Sequence, residues 1–406
     1  MREKITEILQ QTSLSLGQSE IKAVRRKISK RTGCRVYNDY NIGISGAIGE
    51  ADEEELYAKA EKNLSYKINY PVEATKNKKV SINLDECKLS DNDLFEAVEK
   101  ILRKTAERHS NFTVNHKANL NTVELSIENE GQTKLFHRDK FAELGLLLKK
   151  RGSSDILDTA FSYVGRNINS DKIIESVSEL ITAFDREEQL PGEALPIILH
   201  DKELTKIFQK DLNGKLFGNK ASLFQEQLGM NVFNEKFSLK IATDPRESFM
   251  PIFDSEGTIP EEGLTWLIRD GKIIRPYADK RTAKMYDYEN TGCAGGSYDS
   301  VPTLTAPHLE IIPGKQSLKS LLNGKNGILI MIAGGGDFTP DGIYASPVQL
   351  AYLTDGERLL GRLPHFTVKG SIYDIFGKDF IGLSSDKHFT VGNERLFVTN
   401  MEIKAL

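Results

Sequence analysis

Cysteine is scarce in this chain of 406 residues: three in all, Cys34, Cys87 and Cys293, far apart in sequence. An odd, sparse set does not build a disulfide framework and suits a reducing compartment, so a cytoplasmic protein is expected. Histidine is also thin, at seven residues. No two stand three or four apart, so no helix can present a His pair to a metal ion. Apolar runs are short; Ile328 to Ala333 is typical, far below a membrane span. The opening MREKITEILQQ lacks the apolar stretch and small-residue cleavage site of a secretion signal. Net charge is only −4, which gives no field that would draw nucleic acid or an anionic membrane. Tandem repeats and low-complexity tracts are missing as well.

What is present is an ordinary globular composition, 39% hydrophobic and 28% charged, which argues against wholesale disorder. The length implies two or three domains. The predicted class is α+β: small N-terminal α+β units over 1–70 and 71–190, then a mainly β C-terminal domain with short helices over 191–406. Ile5, Ile8 and Leu9 share one helical face, so residues 2–12 are expected to form a helix. Alternation predicts strands over 19–48. Acidic residues open a helix over 51–64, and Ser90 caps another over 90–109. Strands follow from Phe112, with turns predicted at Asn119–Asn121 and Glu130–Gly131, then a helix over 170–184. Two prolines and a glycine break the chain at 189–196. Beyond it come a short strand ending at His200, a helix stopped by Gly214, and hairpins turning at Asp270–Gly271 and Asp355–Gly356.

Four segments could carry chemistry. Cys293 lies among Gly292, Gly295 and Gly296 in TGCAGG; a thiolate nucleophile there needs a base and a positive environment, and a tight glycine loop is the simpler reading. Gly334, Gly335, Gly336 and Asp337 follow the strand GILIMIA. They lack the Lys-Ser/Thr of a phosphate-binding loop, so close backbone approach, internal or to a bound peptide, is the expectation. His200, Asp201 and Glu203 in LHDKEL resemble a metal cluster, yet an Asp at a strand-to-helix junction is first of all a cap. The basic run VRRKISKR (24–31) reads as a solvated strand face, offset by the acidic residues at 50–61.

Several C-terminal segments taken together resemble the TldD/PmbA family, once described as modulators of DNA gyrase. They are FDSEGTIPEEGLTWLIRDGKI (253–273), TGCAGG (291–296), GGGDFTPDGIYASPVQLAYLTDG (334–356) and FTVKGSIYDIFGKDFIGLSSD (366–386). SLFQEQLGMNVFNEKFSLKIATDP (222–245) fits the family's central region. The resemblance implies heterodimeric zinc peptidases. One subunit type bears HExxxH on a helix plus a C-terminal cysteine; the other, PmbA- or TldE-like, lacks them and completes a cleft for unfolded or leader peptides. On the matching helix this chain reads KIFQKD, Lys206 to Asp211, and no cysteine follows residue 293. The implied role is therefore the metal-free subunit, with no catalytic or metal-binding residue of its own, zinc in a TldD-like partner, and Gly292, Cys293, Gly295, Gly296 and Gly334 to Asp337 as peptide-cleft walls. A homodimeric peptide-binding regulator and a Cys293 hydrolase are the competing expectations.

Overall fold

The segment expected to open the chain as a helix is a strand. The computed structural model describes residues 1–155, 158–192, 194–334 and 336–405, with backbone only for Asp201 and Glu203. In it β1 (Arg2–Gly17) pairs along its whole length with β2 (Glu20–Asn38). The helical spacing of Ile5, Ile8 and Leu9 is outweighed by the two-residue alternation of Thr12-Ser13-Leu14-Ser15-Leu16, which puts Thr12, Leu14 and Leu16 on one buried face. β3 (Asn41–Ile48), α1 (Glu53–Asn63), β4 (Lys79–Leu84), α2 (Asp91–Arg108), β5 (Phe112–Asn129), β6 (Lys134–Lys150), β7 (Thr159–Gly165) and α3 (Ser170–Asp185) follow.

These seven strands make one sheet in the order β3-β2-β1-β5-β6-β4, with β7 also on β6. β1 bonds to β5 from Glu3 to Leu16, so the division expected at residue 70 is no break in the sheet. β5 also runs straight through Asn119–Asn121, where a turn was predicted. Both asparagines are buried and bond to Glu143 on β6, and pairing on both sides overrides their turn preference. The turn after Asn129 forms as expected, with Gln132 at φ 62°. α2 starts with a capping box in which Ser90 and Asp93 satisfy each other's backbone N–H. α2 and α3 bury Leu94, Val98, Ile173 and Val177 against the sheet face that carries Leu14 and Leu16.

The C-terminal half begins with β8 (Ile197–His200) and α4 (Asp201–Asp211). Short strands β9 (Leu239–Ile241), β10 (Trp266–Arg269), β11 (Lys272–Ile273), β12 (Ala294–Gly295), β13 (Thr303–Leu304) and β14 (Leu309–Ile311) come next. Then come β15 (Gly327–Ala333), β16 (Asp337–Phe338), β17 (Ile343–Thr354), β18 (Leu359–Arg362), β19 (Phe366–Ser371), β20 (Phe380–Leu383), β21 (Leu396–Thr399) and β22 (Glu402–Ala405). The main sheet runs β20-β21-β8-β15-β17-β19-β22, with β16 and β18 on β17; a second runs β11-β10-β9-β14. Both predicted hairpins form, β10–β11 across Asp270–Gly271 and β17–β18 across Asp355–Gly356. Between the sheets lies an aromatic core. Phe208 of α4 has Phe224, Phe233, Phe237 and Phe376 within 4.8–5.8 Å, centroid to centroid. Among the described residues no helix is long and apolar enough to cross a membrane.

The halves pack through named contacts. Tyr352 on β17 donates to Thr159 on β7 at 2.9 Å, and Arg166 bonds Asp139 at 2.6 Å and the Pro245 carbonyl at 3.0 Å. Phe253 fills a small core with Ile5, Ile127 and Leu135, on the opposite sheet face from α2.

Candidate functional site

The TGCAGG loop packs onto the N-terminal sheet because two glycines there have no side chain. Gly33 on β2 and Gly46 on β3 are paired residues. A Cβ on Gly33 would lie 1.8 Å from the Tyr298 carbonyl oxygen, and one on Gly46 would lie 2.7 Å from Asp299 and from the Tyr298 ring. The loop is fastened from its own half by Asp254, in the turn of FDSEG. One carboxylate oxygen accepts from the backbone N–H groups of Glu256 (2.9 Å) and Thr258 (2.8 Å); the other accepts from Ala294 (2.9 Å).

Between loop and sheet is a cavity of about 340 Å³. Ile5, Glu7, Arg35 and Leu125 line it from the sheet; Ile252, Asp254, Cys293 and His308 are among the residues opposite. It gathers Gly292, Cys293, Gly295 and Gly296 at one wall. Gly334, Gly336 and Asp337 are not part of that wall. They sit at the β15–β16 end of the main sheet, where Cβ atoms on Gly334 and Gly336 would meet Gln349 at 2.7 Å and Ser346 at 2.4 Å, an internal close approach. Gly335 lies outside the described residues.

Two arginine–carboxylate pairs stand on the sheet side. Arg35 and Glu3 are fully buried 3.4 Å apart. The same Arg35 Nη1 donates to the Ser255 carbonyl at 2.5 Å, and Tyr37 donates to Glu3 at 2.8 Å. Glu7 has Arg31 at 3.8 Å, and burial holds its carboxyl above the usual range.

Behind the loop, Glu256 takes a hydrogen bond from the Tyr70 hydroxyl and another from the Lys280 backbone N–H at 3.0 Å. Burial pushes its carboxyl up to about 7, helped by the neighbouring Asp254. Burial also lifts Asp254, to about 6, against the three N–H groups that favour its charge; the carboxylate borders the cavity but is closely surrounded by protein. Raised carboxyl groups keep protons better folded than unfolded. Stability from this pair is therefore fully present below about pH 4 and is lost as pH climbs through about 6 and 7. The denaturation midpoint is expected to fall between about pH 5 and about pH 8, and Glu256→Gln to flatten the upper part of that fall. Equal slopes for Glu256→Gln and the unaltered chain would contradict this assignment.

Cys293 is buried, its thiol pushed up to about 12 by burial, with Thr291 Oγ1 3.3 Å from its sulfur. Such a group stays protonated at neutral pH and makes a poor nucleophile. His308 lines the same cavity, and burial lowers its pKa, which keeps it neutral.

On α4, Lys206 is exposed, Ile207 is in the core, and the Asp211 carboxylate is buried and accepts from the Leu223 N–H at 2.8 Å. This donor set does not suit zinc, and among the described residues no three His, Cys, Asp or Glu side chains converge. In the His200 cluster, His200 stands at the N-cap position of α4 without a side-chain capping bond, and its ring bonds Glu394 at 2.9 Å. Burial opposes charge on Glu394, yet His200 and Lys202 hold it down to about 2. The side chains of Asp201 and Glu203 lie outside the described residues. In the basic run, Arg26 pairs with Asp91 at 2.7 Å and Lys30 with Glu50 at 2.8 Å.

Sequence reasoning passed over Arg35, Glu7, Asp254 and Glu256. The available signals were a lone arginine inside the otherwise uncharged TGCRVY and two acids flanking a serine in FDSEG.

A long-stranded N-terminal sheet joined to a mainly β C-terminal half defines a known architecture. The chain superposes on a protein from Thermotoga maritima provisionally described as a modulator of a DNA gyrase, with a TM-score of 0.80, 17% identity, and coverage of 99% of this chain and 95% of that one. TldE from Thermococcus kodakarensis gives 0.79 and 20%, covering 100% and 96%. A Bacteroides thetaiotaomicron protein with the same kind of gyrase description gives 0.79 and 13%, covering 100% and 94%. No curated protein matches the sequence. Residues 193–404, just over half of the chain, match the PmbA/TldA metallopeptidase C-terminal domain. The chain belongs to the TldD/PmbA family.

Proposed function

We propose that this chain is the metal-free subunit of a TldD/PmbA-type zinc peptidase, holding peptide while a TldD-like partner supplies the zinc. The observation that carries the reading is α4. Zinc hydrolysis needs about three ligands and a base beside the bound water. Here the ligand-bearing helix of the family offers an exposed lysine, a core isoleucine and a carboxylate already committed to backbone. The helix is nevertheless positioned by its aromatic core and touches the cavity wall, since Gln209 donates to the Pro307 carbonyl at 3.1 Å. A helix kept in place without its chemistry fits a subunit that shapes a cleft. Peptide would bind there largely through backbone hydrogen bonds, which tolerate varied sequence.

Co-expression with a TldD-like chain is the test. The expected outcome is a stable complex with one zinc per pair that cleaves unfolded peptide, whereas the chain purified alone holds no stoichiometric zinc and cleaves nothing. One tightly bound zinc in the isolated chain, or no complex with any such partner, overturns the proposal.

A further inference from the structure

The first part of β2 has no neighbour on its outer edge. β3 reaches only as far as Arg31, opposite Ile48, and the last link is the Gly49 N–H donating to the Lys30 carbonyl at 2.9 Å. From Glu20 to Ser29 the strand pairs with β1 alone. Backbone groups of successive residues in a strand point to opposite sides. Lys30 points away from β1, so Ile28, Arg26 and Val24 do the same, and among the described residues nothing bonds to their N–H and C=O groups on that side. An unpaired row of this kind is a template for another strand.

The side chains decide which strand. Val24 and Ile28 share one face and are 52% and 76% exposed. Arg25 and Lys27 are on the other face, across from the uncharged Ser13 and Gln11 of β1. Arg26, Lys30 and Arg31 have Asp91, Glu50 and Glu7, whereas among the described residues Arg25 and Lys27 have no acid. A second copy of this edge is a poor occupant: an antiparallel overlap centred on VRRKISKR sets arginine and lysine against arginine and lysine, and like charges opposed across strands are destabilising. An acidic strand meets two unpaired cations instead.

We propose that the open edge of β2 over Val24–Ile28 is a docking site for an extended acidic segment of another protein, added as a strand beside β2. Backbone hydrogen bonds to Val24, Arg26 and Ile28 hold it, acidic side chains face Arg25 and Lys27, and the apolar residues alternating with them cover Val24 and Ile28. The expectation of a merely solvated basic face accounts for the charges but not for the two exposed apolar side chains between them.

The probes are two short fluorescent peptides, one alternating glutamate with valine and one alternating lysine with valine, titrated into the full chain and followed by anisotropy. Saturable binding of the glutamate peptide is expected, with the lysine peptide weaker by about tenfold or more, and added salt is expected to weaken the glutamate peptide. Hydrogen exchange is expected to slow at the Val24, Arg26 and Ile28 amides when the glutamate peptide is bound. The double variant Arg25→Glu/Lys27→Glu is expected to reverse the preference between the peptides. Ile28→Pro removes an outward N–H without breaking a bond to β1 and is expected to weaken the glutamate peptide by about tenfold; should that variant fail to fold, the charge reversal and the exchange pattern decide. Failure of the glutamate peptide to saturate, equal affinity for both peptides, an unchanged preference after charge reversal, or binding without protection of those three amides overturns the docking site. The subunit proposal stands or falls separately, because neither zinc nor α4 enters this measurement.

Discussion

Asp254→Ala is expected to destabilise the protein by about 2–4 kcal/mol and to release the TGCAGG loop from the cavity wall. The carboxylate accepts from three backbone N–H groups, those of Glu256, Thr258 and Ala294. Alanine leaves all three without an acceptor, and each unsatisfied buried group costs roughly 1–3 kcal/mol. Water reaching through the cavity offsets part of this, so the total falls below a simple sum. Ala294 also accepts from the Ser255 N–H at 3.1 Å, so the loss spreads to a second link between turn and loop. Asp254→Asn keeps one acceptor oxygen for two of the donors and is expected to cost about half as much. Chemical denaturation measures the cost, and limited proteolysis within 291–300 reports the loop. A fully stable, protease-resistant Asp254→Ala chain would show that the loop is held by something else.

Gly33→Ala is expected to be comparably damaging, although it adds a single methyl group. That methyl group would overlap the Tyr298 carbonyl oxygen at 1.8 Å and its carbon at 2.7 Å. Backbone, unlike the end of a flexible side chain, cannot swing away, so either the loop lifts or β2 bends. Overpacking of this kind costs typically about 1–3 kcal/mol, and lifting the loop opens the cavity to solvent. Gly263→Ala is the control, because a Cβ there meets open space. The pair is compared by thermal denaturation and by limited proteolysis within 291–300. The expected pattern is loss of stability and faster cleavage of the loop for Gly33→Ala and little change for Gly263→Ala. Equal behaviour of the two would mean that the sheet and loop are not in firm contact.

Both predictions turn on contacts between segments far apart in sequence, and that is where legibility ended. Ser90, two positions from Asn92 and three from Asp93, announces its own helix start because a cap is a local device. Asp270–Gly271 announces its hairpin for the same reason. The first strand was illegible because three apolar residues fall by chance at helical spacing, and only the pairing with β2 and β5 decides between the periods. Asn119 and Asn121 carry a turn signal that is local, whereas the neighbours that overrule it lie on other strands. Of the expected cleft walls, the 292–296 loop does border a cavity, while Gly334 and Gly336 use their missing side chains internally.

The sequence by itself determined the α+β class, the capped helices, the tight hairpins and the family, because each depends on residues close in the chain or on long ordered motifs. It also placed Lys206, Ile207 and Asp211 on one predicted helix. Tertiary structure alone decided that residues 1–190 share one sheet and that Gly33 and Gly46 admit the loop. It also decided that Arg35 lies buried against Glu3 and that the Cys293 thiol is buried in the cavity wall. Those outcomes depend on which surfaces meet and how much water they exclude, and neither quantity is written in the spacing of residues along a chain.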